Sequence, residues 1–148
     1  METGQEFYQQ NIISSISVSK IFNKILEAEN VVDREKEHFW AVGLTVKNNI
    51  KYIELVSLGV LNMSMAHPRE CFRFAIMQAT GALIFVHNHP SGDPQPSNKD
   101  NTTTSQLVKA GEILGIKVLD HIILGKGKLF SYADEGLIDQ YLFFNKRN

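Results

Sequence analysis

The sequence predicts a single α/β (α+β) domain in which helices pack on a mixed β-sheet. Short apolar runs at 39–46, 52–58, 81–89, 116–124 and 128–132 alternate with longer stretches whose apolar residues recur at helical spacing. Gly, Asn and Pro signals separate these segments. No repeat, low-complexity tract or interdomain linker interrupts the 148 residues, a length that suits one domain with a sizeable core.

The elements follow in order. Residues 1–15 read as a flexible lead-in or edge segment, leaving 16–148 as the domain. Ser17 or Ser19 caps a helix reaching about residue 30, with Ile21, Phe22, Ile25 and Leu26 as its apolar stripe. The charged run DREKE at 33–37 comes next. FWAVGLTV at 39–46 and the run at 52–58 read as strands joined by an Asn48-Asn49 turn. Pro68 opens a helix to about residue 79, with Cys71, Phe72, Ala75, Ile76 and Ala79 on one side. GALIFV at 81–86 begins a strand that ends at His89. The loop at 90–96 is stiffened by Pro90, Pro94 and Pro96 and bent at Gly92. Ser97 caps a helix that runs to Leu114 and stops at Gly115, with Asp100 as an acid in its first turn. Two more strands flank Gly125-Lys126-Gly127, and a short helix at 134–143 closes the domain.

Composition narrows the function classes. Lys and Arg number 15 against 16 Asp and Glu, a net charge of −1, so the chain lacks the basic excess of a nucleic-acid binder. Cys71 is the only cysteine, which excludes a disulfide framework and a thiolate zinc cluster and suits a reducing compartment. No apolar run approaches the ~20 residues of a membrane span. The opening METGQEFYQQ is polar and unlike a signal peptide. The expectation is a cytoplasmic chain with no membrane partner.

Chemistry concentrates in HNHPSGDPQPSNKD at 87–100. Side chains alternate along an extended chain, so His87 and His89 stand on the same side of a strand end. Two same-side imidazoles and the carboxylate of Asp100 form a ligand set of the catalytic zinc type, with a fourth position left for water. The Pro- and Gly-containing loop returns the chain tightly and lowers the entropy lost in gathering the ligands.

His-x-His, seven residues, Ser, two residues, Asp is the signature of the JAMM/JAB metallopeptidase-like family, present here at His87, His89, Ser97 and Asp100. The wider sequence resembles the RadC branch of that family. HNHPSGDPQPSNKD, HPRE at 67–70 and LDHIIL at 119–124 carry the resemblance, which covers roughly 31–137. RadC proteins also carry an N-terminal helix-hairpin-helix region, and the segment before residue 31 is too short to hold one, so a domain-only member is expected. The resemblance implies a JAMM/JAB-like (cytidine-deaminase-like) fold and one Zn2+ per chain on His87, His89 and Asp100. It implies that Ser97 hydrogen-bonds the developing oxyanion or the activated water. It further implies a general acid/base glutamate at an earlier strand start. Glu37, which opens EHFWAV, is the first choice, and Glu35 is the alternative. The implied activity is hydrolysis of peptide or isopeptide amide bonds, with a peptide or protein conjugate as substrate. A non-catalytic binding or scaffold module and a DNA-repair-associated protein are the competing readings.

Several residues keep two readings. His67 and Arg69 line a substrate groove or merely form a helix entrance around Pro68, with Glu70 on the helix N-terminus. Asp120 and His121 orient a metal ligand or are hydrogen-bonded in place within their strand. Cys71, Phe39 and Trp40 read as core. Tyr132 and the Phe143-Phe144 pair cover the sheet or form a homodimer contact.

Overall fold

The computed structural model describes residues 14–59 and 66–143. Helix α1 (Ser15–Ala28) and the one-turn α2 (Val31–Arg34) precede the hairpin β1 (His38–Leu44) and β2 (Ile50–Leu58). Helix α3 (Pro68–Met77), β3 (Ala82–Asn88), α4 (Asn98–Leu114), β4 (Lys117–Leu124), β5 (Leu129–Ser131) and α5 (Leu137–Tyr141) follow. The five strands form one sheet in the order β2-β1-β3-β4-β5. Strands β3 and β4 pair in parallel, and the other neighbours are antiparallel. The parallel pair needs a crossover, and α4 provides it. This is the mixed sheet with flanking helices that the alternating pattern predicts.

Both faces of the sheet are covered, which explains why β1 and β3 are buried at every position. One face packs Phe39, Ala41, Leu83 and Phe85 against Cys71, Phe72, Leu107 and Val108 from α3 and α4. The other packs Trp40, Val42, Ile84 and Val86 against Val18, Ile21 and Phe22 of α1. Trp40 meets Phe22 with ring centroids 4.9 Å apart. Each such buried apolar side chain contributes about 1.5–3 kcal/mol before the entropy of ordering it. Below that contact, His38 Nε2 meets Glu29 Oε2 at 2.7 Å and ties α1 to the start of β1.

Several sequence expectations need correction. The cap of α1 is Ser14, whose hydroxyl accepts from the Ser17 amide; Ser17 and Ser19 lie inside the helix, and Ser15 belongs to it rather than to a lead-in. The charged run at 33–37, given no element from sequence, has its first two residues in α2, which Asn30 caps. Helix α3 ends at Met77; Ile76 is 56% exposed and Ala79 is also exposed, with a positive φ of 50°, so neither joins Cys71, Phe72 and Ala75 inside. The closing helix is shorter than 134–143 and begins at Leu137, after a turn at Gly136 with φ 73°. Tyr132 is fully buried over the sheet, which removes it from a dimer surface, whereas Phe143 is exposed. Phe144 and residues 1–13 lie outside the described residues. No helix among the described residues is long and apolar enough to cross a membrane.

The β4–β5 turn presses on the loop after β3. Lys126 N–H donates to the Gly92 carbonyl at 2.8 Å, and a Cβ at Gly125 would overlap that same carbonyl and the Pro94 ring. Gly125→Ala should therefore force the loop outward at a cost of about 1–3 kcal/mol. A fall in Tm of a few degrees, roughly 2–4 °C per kcal/mol, would register it; an unchanged Tm would mean the contact is slack.

Candidate metal centre

The site is assembled at the carboxyl end of β3, where α4 begins. Along β3, Leu83, Phe85 and His87 share the face that meets α4. His87 is 1% exposed and closes the inner end of the site. His89 lies just past the strand, its N–H bonded to the Leu124 carbonyl at 2.8 Å. Its Nδ1 donates to the Asp93 carbonyl at 2.9 Å, because a carbonyl can only accept. The ring therefore turns Nε2 inward. Across the loop, Ser97 and Asp100 form a reciprocal capping box. Ser97 Oγ accepts from Asp100 N–H at 3.1 Å, and Asp100 Oδ2 accepts from Ser97 N–H at 2.9 Å. That cap pins the carboxylate on the inner side of the first helical turn, where Asp100 is 5% exposed.

The three side chains converge. Each offers one ligand atom within 4.8 Å of the others. His87 Nε2 lies 3.5 Å from Asp100 Oδ1, and His89 Nε2 lies 3.2 Å from Asp100 Oδ2. Burial pushes the His87 imidazole down to about 4, so it is neutral at pH 7. Burial opposes the charge on Asp100, but the His89 hydrogen bond, the nearby His87 and the contacts to Ser97 hold its carboxyl well below the usual carboxylate range. The hydrogen bond to Asp100 raises the His89 pKa against burial.

His87 Nε2 is buried and has no hydrogen-bond partner. An unpartnered imidazole nitrogen facing an ionised carboxylate is a costly arrangement unless a cation stands between them. Two imidazole nitrogens and one carboxylate are also the donor types that zinc takes in catalytic sites. These residues fit a divalent metal ion.

The remaining candidates divide clearly. Glu37 is half-buried and lines the same pocket as His89, Ser97, Lys99 and Asp100, and its charge is felt by His89. Ser97 is exposed at the pocket edge. Glu35 is exposed at the end of α2 and does not line that pocket. His67 caps α3 by accepting from Arg69 N–H at 3.0 Å, both residues are exposed, and neither lines that pocket, so the helix-entrance reading describes them. Asp120 and His121 are adjacent in a strand and face opposite sides of the sheet. Asp120 accepts from His121 N–H, Ser131 Oγ–H and Ala133 N–H, and burial nevertheless pushes its carboxyl up to about 6. It braces the β4–β5 corner and makes no contact with the metal candidates. His121 does reach the centre, with Nε2 2.8 Å from His87 Nδ1.

Asn88 was missed by sequence reasoning. Its Oδ1 accepts from His38 N–H at 2.6 Å, and its Nδ2 donates to the Lys36 carbonyl at 3.0 Å, so it grips the backbone on both sides of Glu37. Alternation places it away from the ligands it sits between, and only the β1–β3 pairing reveals its partner. Asn88→Ala leaves a buried His38 N–H unpaired and should lower unfolding free energy by about 1–3 kcal/mol in urea titration. An unchanged midpoint would remove Asn88 from this role.

A mixed-sheet α+β domain with a His-x-His at a strand end and an aspartate in the next helix, residues that could hold a metal ion, has the architecture of a JAB-type domain. The chain belongs to the RadC-like JAB domain family, which it matches over residues 14–137. It is 56% identical over 103 residues to a UPF0758 protein of Desulforudis audaxviator (strain MP104C), covering 70% of this chain and 45% of that protein. It is 48% identical over 126 residues to UPF0758 protein TTE0897 of Caldanaerobacter subterraneus subsp. tengcongensis, covering 85% of this chain and 53% of that protein. A UPF0758 protein of Methanococcoides burtonii is 50% identical over 104 residues, covering 70% and 45% respectively. The chain spans about half the length of the curated relatives it matches.

Proposed function

We propose that the chain is a zinc-dependent metallohydrolase that cleaves peptide or isopeptide amide bonds, with a peptide or protein conjugate as its substrate. The observation that carries this reading is the convergence of His87, His89 and Asp100 beside a pocket that Glu37 and Ser97 also line. His87 Nε2, His89 Nε2 and an Asp100 oxygen would hold one zinc ion. Bound there, the ion supplies Lewis-acid polarisation of the scissile carbonyl and brings the pKa of water toward ~7.

The chain's own residues carry the rest. The Glu37 carboxylate takes a proton from the attacking water as the new C–O bond forms. It then passes that proton to the leaving nitrogen as the C–N bond breaks. Ser97 donates a hydrogen bond to the oxygen that gains charge. The Asp93 carbonyl holds the His89 ring in place, and the Ser97 amide anchors Asp100. Glu37 is preferred to Glu35 because it lines the pocket. A lone cysteine that is buried fits a reducing cytoplasm.

The test is incubation of the zinc-loaded full chain with a proteome-derived peptide library and with isopeptide-linked conjugates. New termini should appear and should vanish when a chelator removes the metal. A stoichiometrically loaded chain that cleaves neither substrate class would turn the reading to a non-catalytic binding domain.

A further inference from the structure

A buried polar chain runs behind His87 that the hydrolytic reading does not use. His87 Nδ1 lies 2.8 Å from His121 Nε2, and His121 Nδ1 lies 2.6 Å from Thr104 Oγ1. Thr104 Oγ1 lies 2.7 Å from the backbone carbonyl of Asp100. His87, Thr104 and His121 are each 1% exposed, so the chain is shielded from solvent, and the Tyr132 hydroxyl is a further polar neighbour of Thr104.

The Thr104 bond to the Asp100 carbonyl sets the direction of the other bonds. A carbonyl cannot donate, so the Thr104 hydroxyl proton points to Asp100. The Thr104 oxygen must then accept from His121 Nδ1–H. Burial at 1% exposure disfavours a charged ring, and a neutral imidazole carries a single N–H. His121 Nε2 is therefore a lone pair and accepts from His87 Nδ1–H. With its proton on Nδ1, the buried His87 ring leaves an Nε2 lone pair facing Asp100 Oδ1 at 3.5 Å. The reverse direction would leave the Thr104 and Asp100 oxygens 2.7 Å apart with no proton between them, whereas this one leaves the His87 Nε2 lone pair open to a cation. Stacking on Tyr132, with centroids 5.1 Å apart and 4° between planes, limits rotation of the His121 ring. The Tyr132 hydroxyl is itself held by Asn101 in the first turn of α4, at 2.6 Å.

We propose that His121, oriented by Thr104, is a positioning residue that fixes His87 as the Nδ1–H tautomer and so presents Nε2 to the metal ion. The relay starts on the backbone of one ligand, Asp100, and ends on the ring of another, so it couples β3 to α4 through β4. Its role toward the metal rests on the reading of His87, His89 and Asp100 as a metal site. The proton assignment itself does not.

The experiment takes the full chain and its Thr104→Val, Thr104→Ser and His121→Phe variants. Zinc affinity is measured by chelator competition, and ring nitrogen shifts of the metal-free proteins are read by NMR. In the wild type both His87 and His121 should be protonated on Nδ1. Thr104→Val, which keeps the side-chain shape, should weaken zinc about 10- to 100-fold and mix the His121 tautomers, and Thr104→Ser should restore both. His121→Phe should lose at least as much affinity. Wild-type His87 protonated on Nε2, or Thr104→Val with wild-type affinity in a chain that does bind zinc, overturns the proposal. A chain that binds no zinc while both rings carry Nδ1–H supports the proton assignment and overturns the metal reading instead. If Thr104→Val does not fold, the wild-type shifts decide alone.

Discussion

A Glu37→Gln chain should keep its zinc and lose amide hydrolysis by about 10²–10⁴-fold, the range for removing a positioned general acid/base. That corresponds to roughly 3–5 kcal/mol of lost transition-state stabilisation. Glutamine preserves the shape of the side chain and its place beside His89 but cannot take the proton of water. The loss should fall on kcat, because the missing interaction belongs to proton transfer rather than to substrate binding. Zinc content should not change, since the ligand atoms come from His87, His89 and Asp100. Glu35→Gln is the matched control: that residue is exposed and away from the pocket, so its turnover should equal the wild type. Intact turnover in Glu37→Gln would remove this residue from the mechanism even if the metal site stands.

His89→Ala should abolish stoichiometric zinc in elemental analysis after dialysis. Structural zinc sites with four protein ligands bind with ~10–16 kcal/mol, so one ligand is worth roughly 3 kcal/mol and its loss should cost ~100-fold or more in affinity. His89 is a cleaner target than His87. Its side chain is 15% exposed, whereas His87 is 1% exposed and hydrogen-bonded to His121. Truncating His87 would open a cavity and strand the His121 ring, so a loss of metal there could reflect misfolding. Removing His89 frees the Asp93 carbonyl at the surface and one contact of Asp100 Oδ2, while the capping box still holds Asp100. Retention of one zinc per chain in His89→Ala would exclude this residue from the ligand set.

Much of the fold was legible because burial and periodicity coincide. β1 and β3 are covered on both faces, and they appear in sequence as unbroken apolar runs. The expectations that failed did so where local signals compete. Serines at 14, 15, 17 and 19 all qualify as caps, and only the extended backbone at Ser14, with φ −154°, separates the true one. Ile76 has the right spacing for the core, but α3 ends one residue later, and half-buried Phe74 packs against the core instead. A four-residue helix such as α2 is too short to carry any period.

At the site, local spacing carried His87, His89, Ser97 and Asp100, because strand alternation and a helix cap place them with few residues between. The supporting groups left no such trace. Thr104 is the last of three consecutive threonines, and nothing in sequence distinguishes it from Thr102, which is exposed. Asp120 and His121 looked like one pair, and alternation sends them to opposite sides of the sheet. Which of the two meets His87 depends on the β3–β4 register, where Phe85 pairs with His121. That register is a tertiary fact.

The most direct measurement is an anomalous difference map at the zinc edge from crystals of the zinc-saturated chain. One peak per chain should appear, ~2.0–2.2 Å from His87 Nε2, His89 Nε2 and an Asp100 carboxylate oxygen. A zinc-saturated crystal with no peak among these three side chains, or with its peak on other residues, would contradict the metal reading.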